Sequence, residues 1–149
     1  MVGDQWRLRP ATAADRDFLL DLRLRVMDPH LRAGGIELSA DEHAQRVDYR
    51  YADTHIIERQ GSALGMIKLG QQSDELEVVQ LQILPEYQGQ GLGAAVMRRI
   101  VDDALARQQI ITLKVLKHNP ALTLYQRLGF EVVDEDALEY HMRYCHHSD

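Results

Sequence analysis

Cysteine is nearly missing from this sequence, and this lack indicates the redox state of the compartment in which the protein works. The chain has 149 residues and one cysteine, Cys145, so it cannot form an internal disulfide. Stable disulfides are typical of oxidising compartments. A reducing compartment, most simply the cytoplasm, is therefore expected.

Long hydrophobic runs are also missing. No apolar stretch approaches the ~20 residues that a membrane-spanning helix needs. The opening residues, MVGDQWRLRP, contain no apolar segment of the kind found in signal peptides. We therefore expect no contact with a membrane and no secretory leader. A length of 149 residues with 45% apolar residues fits one domain with a single core.

Positive charge is in deficit. The chain has 17 Lys and Arg against 23 Asp and Glu, a formal net charge of −6. Because neutralising phosphates needs an excess of Lys and Arg, we expect no nucleic-acid partner, whereas a small cationic partner is compatible. Metal-binding patterns are lacking too. The seven histidines form no H-E-x-x-H pattern, the pair His146 and His147 suggests no site, and no metal is expected.

What the sequence does contain is an alternation of extended and helical patterns. Two capping-box pairs, Thr12 with Asp15 and Ser39 with Glu42, predict helices in the first third. Three extended runs with short connections then predict antiparallel hairpins. The predicted order is strand, two helices, three strands, helix, strand, helix, strand, with a further short strand at FEVV. The first strand is the short run WRLR before Pro10, and the later extended runs are THIIERQ, ALGMIKL, LEVVQLQIL, IITLKVL and LEYHMRY.

One parallel crossover is expected in the second half. The run LQIL is followed by a glycine loop, a helix over about residues 91–107 and the apolar run IITLKVL. A strand, a helix and a further strand in this order usually form a parallel pair. The expected class is therefore α/β, with a mixed, mostly antiparallel sheet that contains one parallel central pair and is flanked by helices.

The glycine loop, EYQGQGLGAA, has three glycines at alternate positions just before a helix. Glycine lets the backbone approach a ligand closely, and the free N–H groups and macrodipole at a helix start favour an anion. A pyrophosphate is the natural ligand, and a tight turn that binds nothing is the alternative. A Walker-type nucleotide loop is excluded, because no Gly-Lys-Ser/Thr follows.

Two pyrophosphate-binding motifs fit this loop. Gly89, Gly91 and Ala94 satisfy the dinucleotide fingerprint G-x-G-x-x-A. That fingerprint should open a doubly wound domain and be followed by an acidic residue after the next strand, but here the loop is in mid-chain and IITLKVLKHN has no acid. Gln88, Gly91 and Gly93 satisfy the second motif, Q/R-x-x-G-x-G/A.

The second motif carries a family resemblance. The run LQILPEYQGQGLGAAVMRRIVDDA resembles the acetyl-CoA-binding motif of the GNAT superfamily of N-acetyltransferases. NPALTLYQRLGF resembles that family's next segment: an asparagine before a helix, a tyrosine within it, then Gly-Phe. The resemblance covers residues 77–130 in sequence and the whole chain in the order of elements. It implies a single N-acetyltransferase domain over residues 1–149.

The resemblance also implies where acetyl-CoA binds. In this family two central parallel strands splay apart, and the pantetheine arm pairs with strand backbone in the gap. Here the splayed strands would be LQIL and TLKVL. The backbone of Leu81, Gln82 and Ile83 would contact pantetheine and the acetyl group, the amides of Gln88, Gly89, Gln90, Gly91, Leu92, Gly93 and Ala94 would wrap the pyrophosphate, and Asn119 would reach the pantetheine arm.

The implied reaction is direct attack of a primary amine on acetyl-CoA in a ternary complex. Tyr125 matches the family tyrosine that faces the sulfur and would act as the acid; without the motif, it would be read as packing on the sheet. Glu77, eleven residues before Gln88, is the candidate base, because some family members have a catalytic glutamate there. Glu75, Gln82 or a water relay are the alternatives.

The expected acceptor is a small amine or an amino-acid-like molecule, and a peptide N-terminus or a protein lysine stays open. Residues 27–50 should form one wall of its site together with the last strand. The acidic residues of that segment could attract a cationic amine, or could be helix caps and surface charge: Asp28, Glu37, Asp41 and Glu42. Arg98 or Arg99 could contact the 3′-phosphate of coenzyme A, or be solvated. The family resemblance also makes a homodimer an open expectation.

Three other functions stay open from the sequence. The first is a non-catalytic sensor domain that binds acyl-CoA without turnover, against which Tyr125 argues. The second is an enzyme that uses a longer CoA thioester as its acyl donor. The third is an oxidoreductase that uses the loop for a nicotinamide dinucleotide.

Overall fold

The computed structural model describes residues 5–145, which form one seven-stranded sheet with helices on both faces. The prediction that concerned His146 and His147 lies outside the described residues. The strands are β1 (Trp6–Pro10), β2 (Thr54–Arg59), β3 (Ser62–Gln71), β4 (Glu75–Ile83), β5 (Ile110–Leu116), β6 (Phe130–Glu135) and β7 (Glu139–Tyr144). The helices are α1 (Arg16–Ala33), α2 (Ala40–Asp48), α3 (Leu92–Ala106) and α4 (Ala121–Leu128).

The topology confirms the predicted fold class. The strand order is β1-β2-β3-β4-β5-β7-β6, and among these strands only β4 and β5 pair in parallel. The hairpins β2–β3 and β3–β4 are antiparallel, as the short connections predict. A mostly antiparallel sheet is not the doubly wound parallel sheet that the dinucleotide fingerprint requires. The short strand predicted at FEVV is present as β6 and forms one edge.

Capping boxes begin the first two helical segments. The Ser39 hydroxyl accepts from the Glu42 N–H at 3.1 Å, and the Glu42 carboxylate accepts from the Ser39 N–H at 2.9 Å, just before α2. The pair Thr12 and Asp15 opens a short 3-10 turn that leads into α1. Helix α2 ends at Asp48, where the chain turns.

The two faces of the sheet are covered differently. The larger core lies under α3 and α4, where Val96, Met97 and Ile100 pack with Ile57 and Ile67 of the sheet. The smaller core lies under α1 and α2. It contains Leu19, Leu22, Val47, Ile56 and Met66. Ile56 and Ile57 are neighbours in β2 and enter opposite cores, because successive strand side chains alternate.

A buried lysine supports the smaller core. Lys68 of β3 is 1% exposed, and its ammonium group donates to the backbone carbonyls of Arg46, Val47 and Tyr49. These carbonyls lie at the end of α2, where a cation is favourable because of the helix dipole. Burial lowers the pKa of Lys68 to about 8. The α1 and α2 side of the sheet therefore depends on polar contacts as well as on apolar packing.

Candidate functional site

A gap opens between β4 and β5, at the position that the family resemblance implied. The two strands pair only from Glu75 to Val78 and from Ile110 to Leu113. Beyond that point β4 stays paired with β3, and β5 stays paired with β7. The second half of β4 therefore has no partner strand on its β5 side within the described part of the chain.

The direction of the β4 backbone groups follows from the ladder with β3. Leu84 donates its N–H to Leu64 of β3 at 2.9 Å, and Gln82 lies opposite Met66. In an antiparallel ladder, alternate residues exchange hydrogen bonds and those between them point away. The backbone of Gln82 is thus directed to β3, whereas the backbone groups of Leu81 and Ile83 face the gap.

A bulge in β4 sets the direction of its polar side chains. The register with β3 shifts so that Val78 and Gln80 lie opposite consecutive residues and Val79 is extra. Gln80 and Gln82 therefore face the α1 and α2 side with Glu77, whereas a strictly regular strand would place them on the other face from Glu77. The side chain of Gln82 is 3% exposed, which leaves it buried beside the smaller core.

The glycine loop has the backbone conformation that only glycine adopts easily. Gly89 and Gly91 have φ angles of 75° and 83°, in the left-handed region. The Ala95 N–H is the first to reach a helical carbonyl, that of Gly91 at 3.0 Å. The preceding amides of Leu92, Gly93 and Ala94 have no acceptor four residues back in the helix, as is usual for a first turn.

Gln88 has a different position from its neighbours in this loop. Its N–H donates to the Pro85 carbonyl at 3.2 Å, and its side-chain amide donates to the Ile83 carbonyl at 2.8 Å. The Gln90 side chain likewise donates to the Glu86 carbonyl, at 3.2 Å. Gln88 therefore ties the loop to the end of β4, and its backbone amide is already hydrogen-bonded.

Tyr125 and Asn119 reach the gap from α4 and from the turn before it. The Tyr125 side chain is 6% exposed, and burial raises the pKa of its phenol to about 12. Within residues 5–145 its hydroxyl makes no hydrogen bond. The Asn119 side-chain oxygen accepts from the N–H of Ala121, the first residue of α4, at 2.9 Å, and its amide nitrogen has no acceptor among the described residues.

Two cavities meet at the gap. One of about 310 Å³ is bordered by the glycine loop and α4, and we name it the loop cavity. The other, of about 420 Å³, lies on the α1 and α2 side, and we name it the helix cavity. Both lie in the range of small-molecule sites. Four residues border both cavities: Met27, Leu81, Asn119 and Tyr125.

The predicted site residues divide between these two cavities. Glu77 borders the helix cavity, whereas Gln82 borders neither. Gln90 is exposed on the outer side of the loop. The loop cavity is bordered by Leu81, Ile83, Gln88, Gly89, Gly91, Leu92, Gly93, Ala94, Asn119 and Tyr125.

Part of the segment 27–50 borders the helix cavity, but the four acidic residues of that segment do not. Residues from α1, α2 and the segment between them border the helix cavity together with Leu138 and Glu139. Asp28 is bound by Arg32 and His43, and Glu37 by Arg32. Glu42 belongs to the capping box. None of the four acids borders the cavity, which favours helix capping, ion pairs and surface charge over attraction of an amine.

A buried network of hydrogen-bonded side chains, Arg23, His43 and Asp28, was not predicted from the sequence. The Arg23 Nε donates to His43 Nδ1 at 3.0 Å, and His43 Nε2 lies 3.0 Å from an oxygen of Asp28. Because Nδ1 accepts from Arg23, Nε2 carries the proton and donates to Asp28. An arginine four residues after Leu19, on the apolar face of α1, was the signal that could have indicated it.

The arginines proposed for the 3′-phosphate have different surroundings. The Arg99 guanidinium lies 5.2 Å from the centroid of the Trp6 ring, on β1 and away from the loop cavity. Neither Arg99 nor Arg98 borders that cavity. Among residues 5–145 we found no cluster of His, Cys, Asp and Glu suited to a metal ion, and no helix there is long and apolar enough to cross a membrane.

Comparison with known proteins identifies the family. Residues 50–132, more than half of the chain, match the model of the acetyltransferase (GNAT) domain. The chain belongs to the GNAT acetyltransferase family, a family of acyl-transferring enzymes. A Bacillus subtilis (strain 168) protein, named as a candidate ribosomal protein bS18-alanine N-acetyltransferase, is 31% identical over 84 residues. The match covers 54% of this chain and 55% of that protein, so the chain spans about half the length of this curated relative.

Solved structures share the fold at low sequence identity. The PaiA N-acetyltransferase of Thermoplasma acidophilum, in complex with coenzyme A, has a TM-score of 0.75 and 16% identity, over 95% of this chain and 99% of that one. Arabidopsis thaliana Naa50, in complex with the bisubstrate analogue CoA-Ac-MVNAL, has a TM-score of 0.70 and 19% identity, over 95% and 99%. At these identities the comparison shows the fold alone.

Proposed function

We propose that this chain is an acetyl-CoA-dependent N-acetyltransferase, one domain over residues 1–149, that acetylates a primary amine. The observation that carries the proposal is the gap between β4 and β5, where unpaired strand backbone, the glycine loop and Tyr125 meet. Family membership supports the reaction class. The coenzyme A complex of a structural neighbour supports the choice of ligand.

The residues around the gap fit acetyl-CoA, which supplies an acetyl thioester when bound. The backbone of Leu81 and Ile83 holds the pantetheine arm, and one of their N–H groups donates to the thioester oxygen as an oxyanion donor. The Asn119 amide donates to the same arm. The free loop amides between Gly89 and Ala94 hold the pyrophosphate at the start of α3.

Tyr125 acts on the sulfur side. Its phenol, with a pKa of about 12, stays protonated near neutral pH and therefore keeps a hydrogen to donate. In the gap it donates to the departing sulfur and stabilises the negative charge that forms there. Its position between the two cavities is what the role requires, because the sulfur leaves on one side and the amine arrives from the other.

Glu77 acts on the amine side. An alkyl ammonium with a pKa of about 10.4 lies roughly 3 units above neutral pH, which costs about 4 to 5 kcal/mol of free energy before attack. Glu77 borders the helix cavity and forms no ion pair with another described residue. It takes the proton directly or through water. Glu75 accepts from Thr112 at 3.3 Å and does not border the cavity, so it is a weaker candidate.

The test first measures acetyl-CoA binding and then measures turnover with candidate acceptors. Isothermal titration with acetyl-CoA, and with NAD as the control, should show binding of acetyl-CoA only. The same protein is then assayed for thiol release with a panel of amines, amino acids and dipeptides, and with acetyl-CoA replaced by longer acyl-CoA thioesters. Amine-dependent release with acetyl-CoA is expected.

Each other outcome has a distinct meaning. Binding without release from any acceptor would favour the sensor function. Faster thiol release with a longer acyl-CoA thioester would identify that thioester, rather than acetyl-CoA, as the acyl donor. Absence of acetyl-CoA binding would overturn the proposed role of the glycine loop. Sedimentation analysis of the same samples tests the homodimer.

A further inference from the structure

Arg23 is a buried cation whose terminal nitrogens have no acceptor in the described part of the protein. Its side chain is 3% exposed, and within residues 5–145 it makes one hydrogen bond, from Nε to His43. Its Nη1 is fully buried and has no partner among the described residues. No carboxylate forms an ion pair with it among residues 5–145. A buried charge without a partner is costly, which makes this position informative.

The surroundings of Arg23 hold the guanidinium in place. His43 is 1% exposed and is held by Asp28, so its Nδ1 offers a fixed acceptor to Arg23 Nε. Asp28 is in turn bound by Arg32 at 2.8 Å. The chain Arg32–Asp28–His43–Arg23 therefore orients the guanidinium from behind and leaves its terminal nitrogens for another partner.

Arg23 borders the helix cavity, where more unpaired charge is found. Arg46 and Lys114 border it and form no ion pair with a described residue, and the same holds for the carboxylates of Glu77 and Glu139. Arg23 and Arg46 are close enough for the charge of Arg46 to contribute to a lowered pKa of Arg23, after burial. Two neighbouring guanidinium groups without an anion between them suit a ligand that brings the anion.

Much of the remaining lining is apolar. Side chains of α1, of the following segment, of β5 and of the turn before β7 suit a hydrocarbon group. The cavity therefore offers cations at Arg23, Arg46 and Lys114, carboxylates at Glu77 and Glu139, and apolar surface. The apolar lining residues are Met27, Leu31, Ile36, Leu38, Val115 and Leu138.

From this arrangement we propose that the acceptor is an amine that also carries a carboxylate and an apolar side chain, and that Arg23 binds the carboxylate. The inference rests on the proposed acetyltransferase function and specifies its substrate class. Arg23 is then a specificity-determining residue, and His43 and Asp28 are positioning residues that act through it. The carboxylate can belong to a free amino acid or to the C-terminus of a short peptide.

The test compares acceptors that differ in the carboxylate. Thiol release is measured with leucine, leucinamide and the dipeptide Leu-Gly. We expect kcat/KM for leucine to exceed that for leucinamide by about 10- to 100-fold, the range for a hydrogen-bonded charge. The lower amine pKa of leucinamide works against this preference, so the comparison is conservative. Leu-Gly distinguishes a free amino acid from a peptide C-terminus.

Variants of Arg23 show whether this side chain carries the preference. In Arg23→Gln, the ratio of kcat/KM for leucine to that for leucinamide should fall to about 1 or below, mostly through a higher KM for leucine. Arg23→Lys should restore part of it. The matched control is Arg16→Gln on the exposed side of α1, where Arg16 pairs with Asp48 and borders neither cavity; its ratio should equal that of the wild type.

The outcomes separate this inference from the proposed function. If no amine at all is acetylated, the proposed function fails. If amines are acetylated but the wild type does not prefer leucine or Leu-Gly over leucinamide, only the inference fails, and this result needs no variant to fold. Arg23 also borders a cavity of about 10 Å³ with Thr54, room for about one water. If Arg23→Gln loses thermal stability but keeps the wild-type ratio of leucine to leucinamide, Arg23 has only a structural role beside that small cavity.

Discussion

The two sides of the gap between β4 and β5 are built from different kinds of groups. On the loop side, the groups are backbone amides of β4 and of the glycine loop, from residues close together in the chain. On the helix side, the groups are side chains from α1, α2, β4, β5 and β7 that are far apart in the chain. A backbone site imposes glycines at fixed spacing and can be found by a motif, whereas a side-chain site leaves no local pattern.

The same two sides also differ in what stabilises them. The core under α3 and α4 is apolar. The α1 and α2 side includes the buried Lys68 and the chain from Arg23 to Asp28. Between β1 and α1, Arg9 bridges Asp15 and Glu58 at 2.8 Å each. Charge substitutions should therefore act mostly on the helix side, and backbone substitutions mostly on the loop side.

The largest effect is expected from Tyr125→Phe, because Tyr125 borders both cavities. Removing the hydroxyl removes the donor to the departing sulfur, and kcat should fall about 100- to 1000-fold. The affinity for acetyl-CoA should change little, since the ring remains. Rapid measurement of thiol release, with titration for binding, checks both. Tyr140→Phe is the control, as Tyr140 borders neither cavity. An unchanged kcat would leave Tyr125 with a packing role only.

Gly91→Val should weaken acetyl-CoA binding at the glycine loop and leave the helix side of the gap unchanged. Its φ of 83° is strained for a β-branched residue, and the substitution disturbs the amides at the start of α3. The acetyl-CoA Kd should rise about 100-fold, the equivalent of one or two charged hydrogen bonds. Gly61→Val is the matched control, with a φ of 80°, open space around it and a position in the β2–β3 turn. Equal losses in both variants would mean that general strain, not the phosphate site, is responsible.

Glu77→Gln tests the helix side. Loss of the base should lower kcat about 10- to 100-fold at neutral pH, and less at higher pH, because more of the amine is then already neutral. A pH profile of kcat for both proteins measures this. Glu75→Gln, on the same strand and hydrogen-bonded by Thr112, should behave like the wild type. If the pH profile of Glu77→Gln overlays that of the wild type, a water relay rather than Glu77 removes the proton from the amine.

The smallest effect is expected from Asp15→Asn, which touches neither cavity. The hydrogen bond from Arg9 lowers the pKa of Asp15 from 3.8 to about 2. Because the folded pKa is the lower one, the stabilisation is present above about pH 4 and is lost as the pH falls towards 2. The variant should lose about 1 to 2 kcal/mol of unfolding free energy at pH 7.

Urea unfolding at pH 7 and at pH 2 provides the measurement for Asp15. The difference between the two proteins should shrink at the lower pH, while acetyl-CoA affinity at pH 7 stays the same. A difference that persists undiminished at pH 2 would show that the Asp15 charge is not the source of the stabilisation.

The sequence by itself determined the order of the elements, the mixed sheet with its parallel pair, the capping box of α2 and the glycine loop. All of these depend on contacts between residues close in the chain, such as Ser39 with Glu42, or on periodicity. The two motifs that contain Gln88 and Tyr125 are each local in the chain and carry the family resemblance, and the comparisons confirm that family.

Only the tertiary structure decided what lines the helix cavity. Asp28 and Glu37 are available in the sequence as charges, but folding pairs them with His43 and Arg32 and removes them from the cavity. In the sequence, Arg23 has no feature that separates it from other polar residues of an amphipathic helix. In the fold, His43, twenty residues later in the chain, holds it beside the gap. Side chains that meet across a fold depend on the packing of whole elements, and no periodicity within one element encodes which of them will be left without a partner.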